Sequence, residues 1–161
     1  ILAGDGDLQE PIALGASTLA GHWKLSNLIM FYDKNDIQIA GKTSRVDSTD
    51  YKKLYEAMGW HVQEIDGHNH DDIRSALKNA QSSDKPSIII GKTVIAKGSF
   101  SLENSPKSHG APFSEEKIKL TKEKIGLPQE PFFCNEEIIN HFQRNFKSLE
   151  NKVIDLSLIH I

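Results

Sequence analysis

With one cysteine, Cys134, the 161-residue chain cannot form an internal disulfide or a multi-cysteine zinc site. The lone thiol reads as packed or idle and agrees with a reducing compartment. An excess of positive charge is also missing. Lys and Arg number 19 against 22 Asp and Glu, the net charge is −3, and the basic residues are spread along the sequence. That leaves no field for a nucleic-acid backbone, so DNA and RNA are excluded as main partners. No apolar run reaches membrane-spanning length, and there is no internal repeat or low-complexity tract. Neither nucleic acid nor membrane is an expected partner. What is there, 38% hydrophobic and 25% charged residues, is the make-up of a globular chain with one sizeable core.

Short apolar runs alternate with segments of helical period. Leu28 to Tyr32, the alternating stretch from Trp60 to Asp66, and the β-branched run from Ser87 to Ile95 read as strands. Pro11 starts a helix carrying Ile12, Leu14, Ala16, Leu19, Ala20 and Trp23. Ser48 or Asp50 caps the next, whose Tyr51, Leu54, Tyr55 and Met58 recur at i, i+3, i+4 and i+7 before Gly59 stops it. Those four are expected in the core. Ile73, Ala76, Leu77 and Ala80 mark a further helix face. The 87–95 run is apolar at nearly every position, as in parallel strands buried on both faces. The expected fold class is therefore α/β, a three-layer αβα arrangement around a mostly parallel sheet.

From Ala96 to Phe113 the chain is rich in Gly, Ser, Pro and Asn, which predicts a long loop of the kind that carries function. Ser114 with Glu115 and Glu116 begins a helix that Gly126 and Pro128 end. A last amphipathic helix follows with Ile138, Ile139, Phe142, Phe146 and Leu149 on one face. The tail 156–161 is apolar without a period and reads as a strand, an interface segment or sequence foreign to the protein. Ile1 lies inside what reads as a strand, which predicts further sequence upstream.

Chemistry concentrates at two strand ends. Gly4-Asp5-Gly6 closes the first apolar stub, and Asn35 sits just past the run ending at Tyr32. The tripeptide alone reads as an ordinary turn. Strand, Gly-Asp-Gly, helix, strand and Asn35 together place a carboxylate and a carboxamide at neighbouring strand ends, where open α/β sheets bind ligands. Hard oxygens of that kind suit Mg²⁺, which shares its shell with substrate phosphates. The implied ligand is a diphosphate. Gly4 and Gly6 would allow a tight turn and a close phosphate approach, and the helix opening at Pro11 would point its N-terminus at the anion.

Further blocks resemble the transketolase family over about residues 1–150. They are Gly4-Asp5-Gly6 with Glu10, Leu28 to Asp33 followed by Asn35 and Ile37, Gly59-Trp60-His61-Val62 leading to Asp66-Gly67-His68, Lys85-Pro86-Ser87, Lys92-Thr93, and Ser108-His109-Gly110-Ala111-Pro112. The resemblance implies part of a thiamine diphosphate-binding fold. It divides the chain into 1–130, the later part of the N-terminal cofactor domain, 131–155, a helical segment leading to the next domain, and the tail 156–161. It implies thiamine diphosphate with Mg²⁺, for which Ca²⁺ can substitute. Asp5, the Asn35 side chain and the Ile37 carbonyl would be the metal ligands. Gly4 and Gly6 would lie against the diphosphate, Glu10 would join a network between sites of a homodimer, Lys92 would line the site, and His109 would be the catalytic histidine.

The implied activity is transfer of a two-carbon ketol unit between sugar phosphates in the cytoplasm, with the partner's pyrimidine-binding domain completing the site. A dihydroxyacetone synthase, a deoxyxylulose-phosphate synthase, or a non-catalytic subunit of a split enzyme are the alternatives. Two departures from the family pattern stand out: Pro11 where a glycine often follows the glutamate, and Ala96-Lys97 where Gly-Phe is usual. His22, His61, His68, His70, His141 and His160 share no ligand spacing, and His68 with His70 reads as a polar loop.

Overall fold

A computed structural model describes residues 1–159, apart from the side chains at positions 148, 151 and 155–159. The strands are β1 (Leu2–Gly4), β2 (Ile29–Lys34), β3 (Ile37–Gln38), β4 (Gly41–Lys42), β5 (His61–Asp66) and β6 (Ser87–Lys92). The helices are α1 (Asp5–Gln9), α2 (Pro11–His22), α3 (Tyr51–Ala57), α4 (His70–Gln81), α5 (Glu115–Lys124) and α6 (Glu136–Ile159). They form two compact units, residues 1–121 and 122–161.

The first unit is built on a parallel sheet in the order β1-β2-β6-β5. Register brings Gly4 beside Asp33, Lys34 beside Lys92, and Lys92 beside Asp66, so all four carboxyl ends finish along one edge. Alternate residues of each strand serve opposite faces. Met30, Tyr32, Ile88 and Ile90 pack with Leu8, Ala20, Tyr51, Tyr55 and Trp60 on the side of α1, α2 and α3. Ile29, Phe31, Ile65 and Ile89 pack with Ala76 and Ala80 of α4 on the other. The arrangement is the expected three-layer αβα. A large apolar side chain buried this fully contributes about 1.5–3 kcal/mol. Tyr55, completely buried, meets the Trp60 ring edge-on at 5.1 Å, and the Trp60 indole donates to the Ser17 carbonyl at 2.8 Å.

On the α4 side the sheet is only partly covered. Next to the free edge of β1 lies a cavity of about 1010 Å³ walled by Leu2, Ile29, Phe31, Ile73 and Leu77.

Several boundaries differ from expectation for local reasons. A helix begins already at Asp5, and Glu10 interrupts it in an extended conformation (φ −69°, ψ 127°). Proline disfavours helical geometry in the residue before it and lacks the N–H to continue a ladder, so α2 restarts at Pro11. Strand β6 stops at Lys92, not Ile95, because Thr93 and Val94 turn to other partners. Asp50, not Ser48, caps α3 by accepting from the Lys53 amide. Tyr51 and Tyr55 are buried as expected, with Leu54 and Met58 packed against them. The long loop contains a 3-10 turn at Pro106–Ser108.

In the second unit α6 continues through Ile159, so most of the aperiodic tail is helical. Positions 160 and 161, His160 among them, lie outside the described residues. Phe142, Phe146 and Leu149 of α6 are exposed. No described helix is long and apolar enough to cross a membrane.

Candidate functional site

Asp5 opens α1 directly from the end of β1 and is 4% exposed. Its Oδ1 accepts from the Tyr32 hydroxyl at 2.7 Å and its Oδ2 from the Asp36 amide at 3.1 Å. Burial pushes the carboxyl above its ordinary range, against the Tyr32 hydrogen bond, while the nearby Asp36 charge adds to the rise. Burial and the same hydrogen bond drive the Tyr32 phenol far above a normal tyrosine. Tyr32 was not singled out by the sequence. The available signal was a hydroxyl-bearing ring at an inward position of the strand that ends beside Asp5.

Beyond β2 the chain reverses through Asn35 and Asp36, the latter left-handed at φ 61°. The Asn35 Oδ1 accepts from the Ile37 amide at 3.0 Å, and the Asp36 carbonyl accepts from the Thr43 amide at 3.0 Å. Ile37, 3% exposed, pairs with Lys42 in the β3-β4 hairpin. This turn sits on Asp5. Asp5, Asn35, Ile37 and Lys92 consequently wall one cavity of about 520 Å³ at the carboxyl ends of the strands, together with Tyr32 and Val94.

The donor set is one carboxylate with neutral oxygens. Among the described residues no three His, Cys, Asp or Glu gather into a cluster. That composition suits a hard divalent cation whose remaining charge is supplied by phosphates. Gly4 and Gly6 are not among the walls of this cavity; Gly4 lines the apolar cavity beside β1, and a Cβ added at Gly6 would meet nothing within 4 Å. Neither Gly4 nor Gly6 has a positive φ, and Gly6 lies in the first turn of α1. The helix at this point is α1, not the one beginning at Pro11. Glu10, exposed between α1 and α2, and His109, exposed after the 3-10 turn, are not among the walls of this cavity.

A second carboxylate stiffens the cavity's other side. The Asp47 Oδ2 accepts from the Tyr51 hydroxyl at 2.7 Å and from Gln9 at 3.4 Å, and Oδ1 accepts from the Thr49 amide at 2.9 Å. Hydrogen bonds from Thr49, then Tyr51 and Gln9, hold this carboxyl below its ordinary range against partial burial. A depressed carboxylate adds stability that is full above its unfolded pKa and is lost as pH falls through the folded value. Tyr51→Phe removes one donor, so the Asp47 pKa should rise towards the ordinary range in a ¹³C-carboxyl NMR titration. An unchanged Asp47 curve would refute the network.

The family model described as "Transketolase, thiamine diphosphate binding domain" matches residues 1–155. The chain belongs to the transketolase family. Its relatives include the transketolase of Sinorhizobium medicae, 42% identical over 138 residues, covering 86% of this chain and 20% of that protein. Transketolase from Aquifex aeolicus is 38% identical over 156 residues, covering 96% of this chain and 22% of its own. Among solved structures, transketolase from Leishmania mexicana superposes with a TM-score of 0.88 at 36% identity, covering 94% of this chain and 23% of that one. The Campylobacter jejuni enzyme gives 0.82 at 46% identity, covering 84% and 22%. This transketolase-family chain thus spans about a fifth of the length of the relatives it matches.

Proposed function

We propose that this chain holds the Mg²⁺-diphosphate end of thiamine diphosphate and, within a longer protein, serves two-carbon ketol transfer between sugar phosphates. The observation that carries the reading is the seating of the Asn35–Ile37 turn on the Asp5 carboxylate, at the carboxyl ends of a parallel sheet of the transketolase family. The Asp5 carboxylate, the Asn35 carboxamide and the Ile37 carbonyl would hold the cation, with Ca²⁺ able to replace Mg²⁺. Gly4 and Gly6 would accept the diphosphate at close range, and Lys92 would supply positive charge at the cavity wall.

When bound, the cofactor supplies a nucleophilic carbon and an electron sink for cleaving the bond next to a ketose carbonyl. The chain's own contribution is orientation and proton handling. His109, whose ring nitrogens can donate or accept a hydrogen bond, is assigned to the reacting end. Its place on the long loop outside the cation cavity is consistent with that separate task. Glu10 is assigned to a network reaching a second copy of the longer protein, whose other domain would complete the site in a homodimer. Residues 131–155 would lead to this protein's own next domain.

Two measurements test the reading. Calorimetric titration of the full-length protein with thiamine diphosphate should show binding that depends on Mg²⁺, and ketose-phosphate donors with aldose-phosphate acceptors should turn over. The 161 residues alone should show no ketol transfer. Absence of Mg²⁺-dependent cofactor binding in the full-length protein, or robust turnover by the isolated chain, would overturn it.

A further inference from the structure

The Asp66-Gly67-His68 block has no part in the cation cavity, yet it reaches that cavity's wall. His68, half-buried in the turn after β5, accepts from the Val94 amide through Nε2 at 2.8 Å. An accepting Nε2 puts the ring proton on Nδ1 and leaves the imidazole neutral. Beside it the Gly67 amide donates to the Lys92 carbonyl at 2.9 Å. A Cβ on Gly67 would stand 2.5 Å from the Thr93 methyl, so this approach needs glycine. From the opposite side the Thr93 hydroxyl donates to the Asp33 carboxylate and the Thr93 amide to the Lys34 carbonyl at 3.2 Å.

The Thr93–Val94 segment is thereby held from both neighbouring strand ends, Thr93 from the end of β2 and the Val94 amide from the turn after β5. Lys92, Thr93 and Val94 all wall the 520 Å³ cavity. The chain then continues through the long loop to His109. Without the imidazole, the half-buried Val94 amide has no acceptor at this point, and the Val94 side of the segment keeps only its carbonyl bond from the Lys97 amide at 3.2 Å, within the same loop.

We propose that His68 is a positioning residue for the cavity wall Lys92–Val94, acting through its hydrogen bond to the Val94 amide. The effect on cofactor binding rests on the diphosphate reading above, whereas the grip on Val94 does not. The test compares His68→Leu, which has no acceptor, with His68→Gln, which keeps one at similar reach, both in the full-length protein. Without cofactor, hydrogen exchange at the Val94 amide should quicken about 10-fold in the leucine variant and stay near normal in the glutamine variant. Calorimetry should show Mg²⁺-thiamine diphosphate binding weakened about 10-fold in the first and largely restored in the second. Unaltered exchange in His68→Leu, equal impairment in both variants, or altered exchange with unaltered cofactor affinity would overturn the proposal. The expected exchange pattern in a protein that binds no thiamine diphosphate would support the grip and overturn the diphosphate reading instead.

Discussion

Replacing Asp5 with alanine in the full-length protein should weaken Mg²⁺-dependent thiamine diphosphate binding by roughly 100-fold or more, since loss of even an outer partner of a metal site costs 10–100-fold. Asp5 brings the only carboxylate that the assigned ligand set contains, and Asp47, another carboxylate on this cavity, is already held by Tyr51, Gln9 and Thr49. The substitution also strands two donors, the Tyr32 hydroxyl and the Asp36 amide. The buried Tyr32 hydroxyl left unpaired costs about 1–3 kcal/mol, and the amide of the exposed Asp36 less, because water reaches it. Asp5→Asn separates the two effects. A carboxamide still offers an oxygen to one donor and keeps the shape, so stability should recover in part while binding stays poor. Asn35→Ala should weaken binding in the same direction. Calorimetric titration with and without Mg²⁺ reads the affinity and thermal melting reads the fold. Binding that survives both alanine variants would remove the cation from this cavity altogether.

Gly21→Ala should be the most damaging conservative change in the first unit, costing about 3 kcal/mol and lowering the melting temperature by several degrees. By helix propensity alone, alanine would gain about 1 kcal/mol in a helix interior and less at Gly21, the second-to-last residue of α2. Sterics outweigh that gain. An added Cβ would lie 1.8 Å from the Met58 carbonyl oxygen and 3.3 Å from the Trp60 ring. The Met58 carbonyl is backbone at the end of α3, so relief requires α2 and α3 to part, and the Trp60 bond to Ser17 would be pulled with them. Denaturant titration of the variant decides the matter, and stability equal to the parent's would show that the two helices are not in van der Waals contact.

Much of this fold was legible from periodicity alone. The β-branched run beginning at Ser87 announced a strand buried on both faces, and Ile88, Ile89 and Ile90 are each 5% exposed or less. The spacing of Tyr51 and Tyr55 announced the α3 face for the same reason, since large side chains repeating at helical period have only one way to leave water. Ends were harder. The short helix at Asp5 was hidden because five residues carry no periodic signal, and the strand end at Lys92 was hidden because Thr93 and Val94 look like good strand residues while their partners lie on other strands. Asp5 and Asn35 could be paired in advance since strand ends in a parallel sheet converge. Tyr32 and His68 could not, because their roles depend on distances across the sheet and not on neighbours along the chain.

Strand order also governs how the first unit comes into being. The strand between β2 and β5 is β6, the last of the four to leave the ribosome. Until Lys92 has emerged, β2 has only β1 beside it and β5 has no partner in the main sheet, so the nascent chain carries α3 and α4 without the central strand that completes the surface they pack on. Folding must therefore close long loops before its central pairings form, a topology that is slow and leaves strand edges open meanwhile. Chains ending shortly before Ser87 should be handled by the cell as unfolded polypeptides, and release of only a few further residues should change that abruptly.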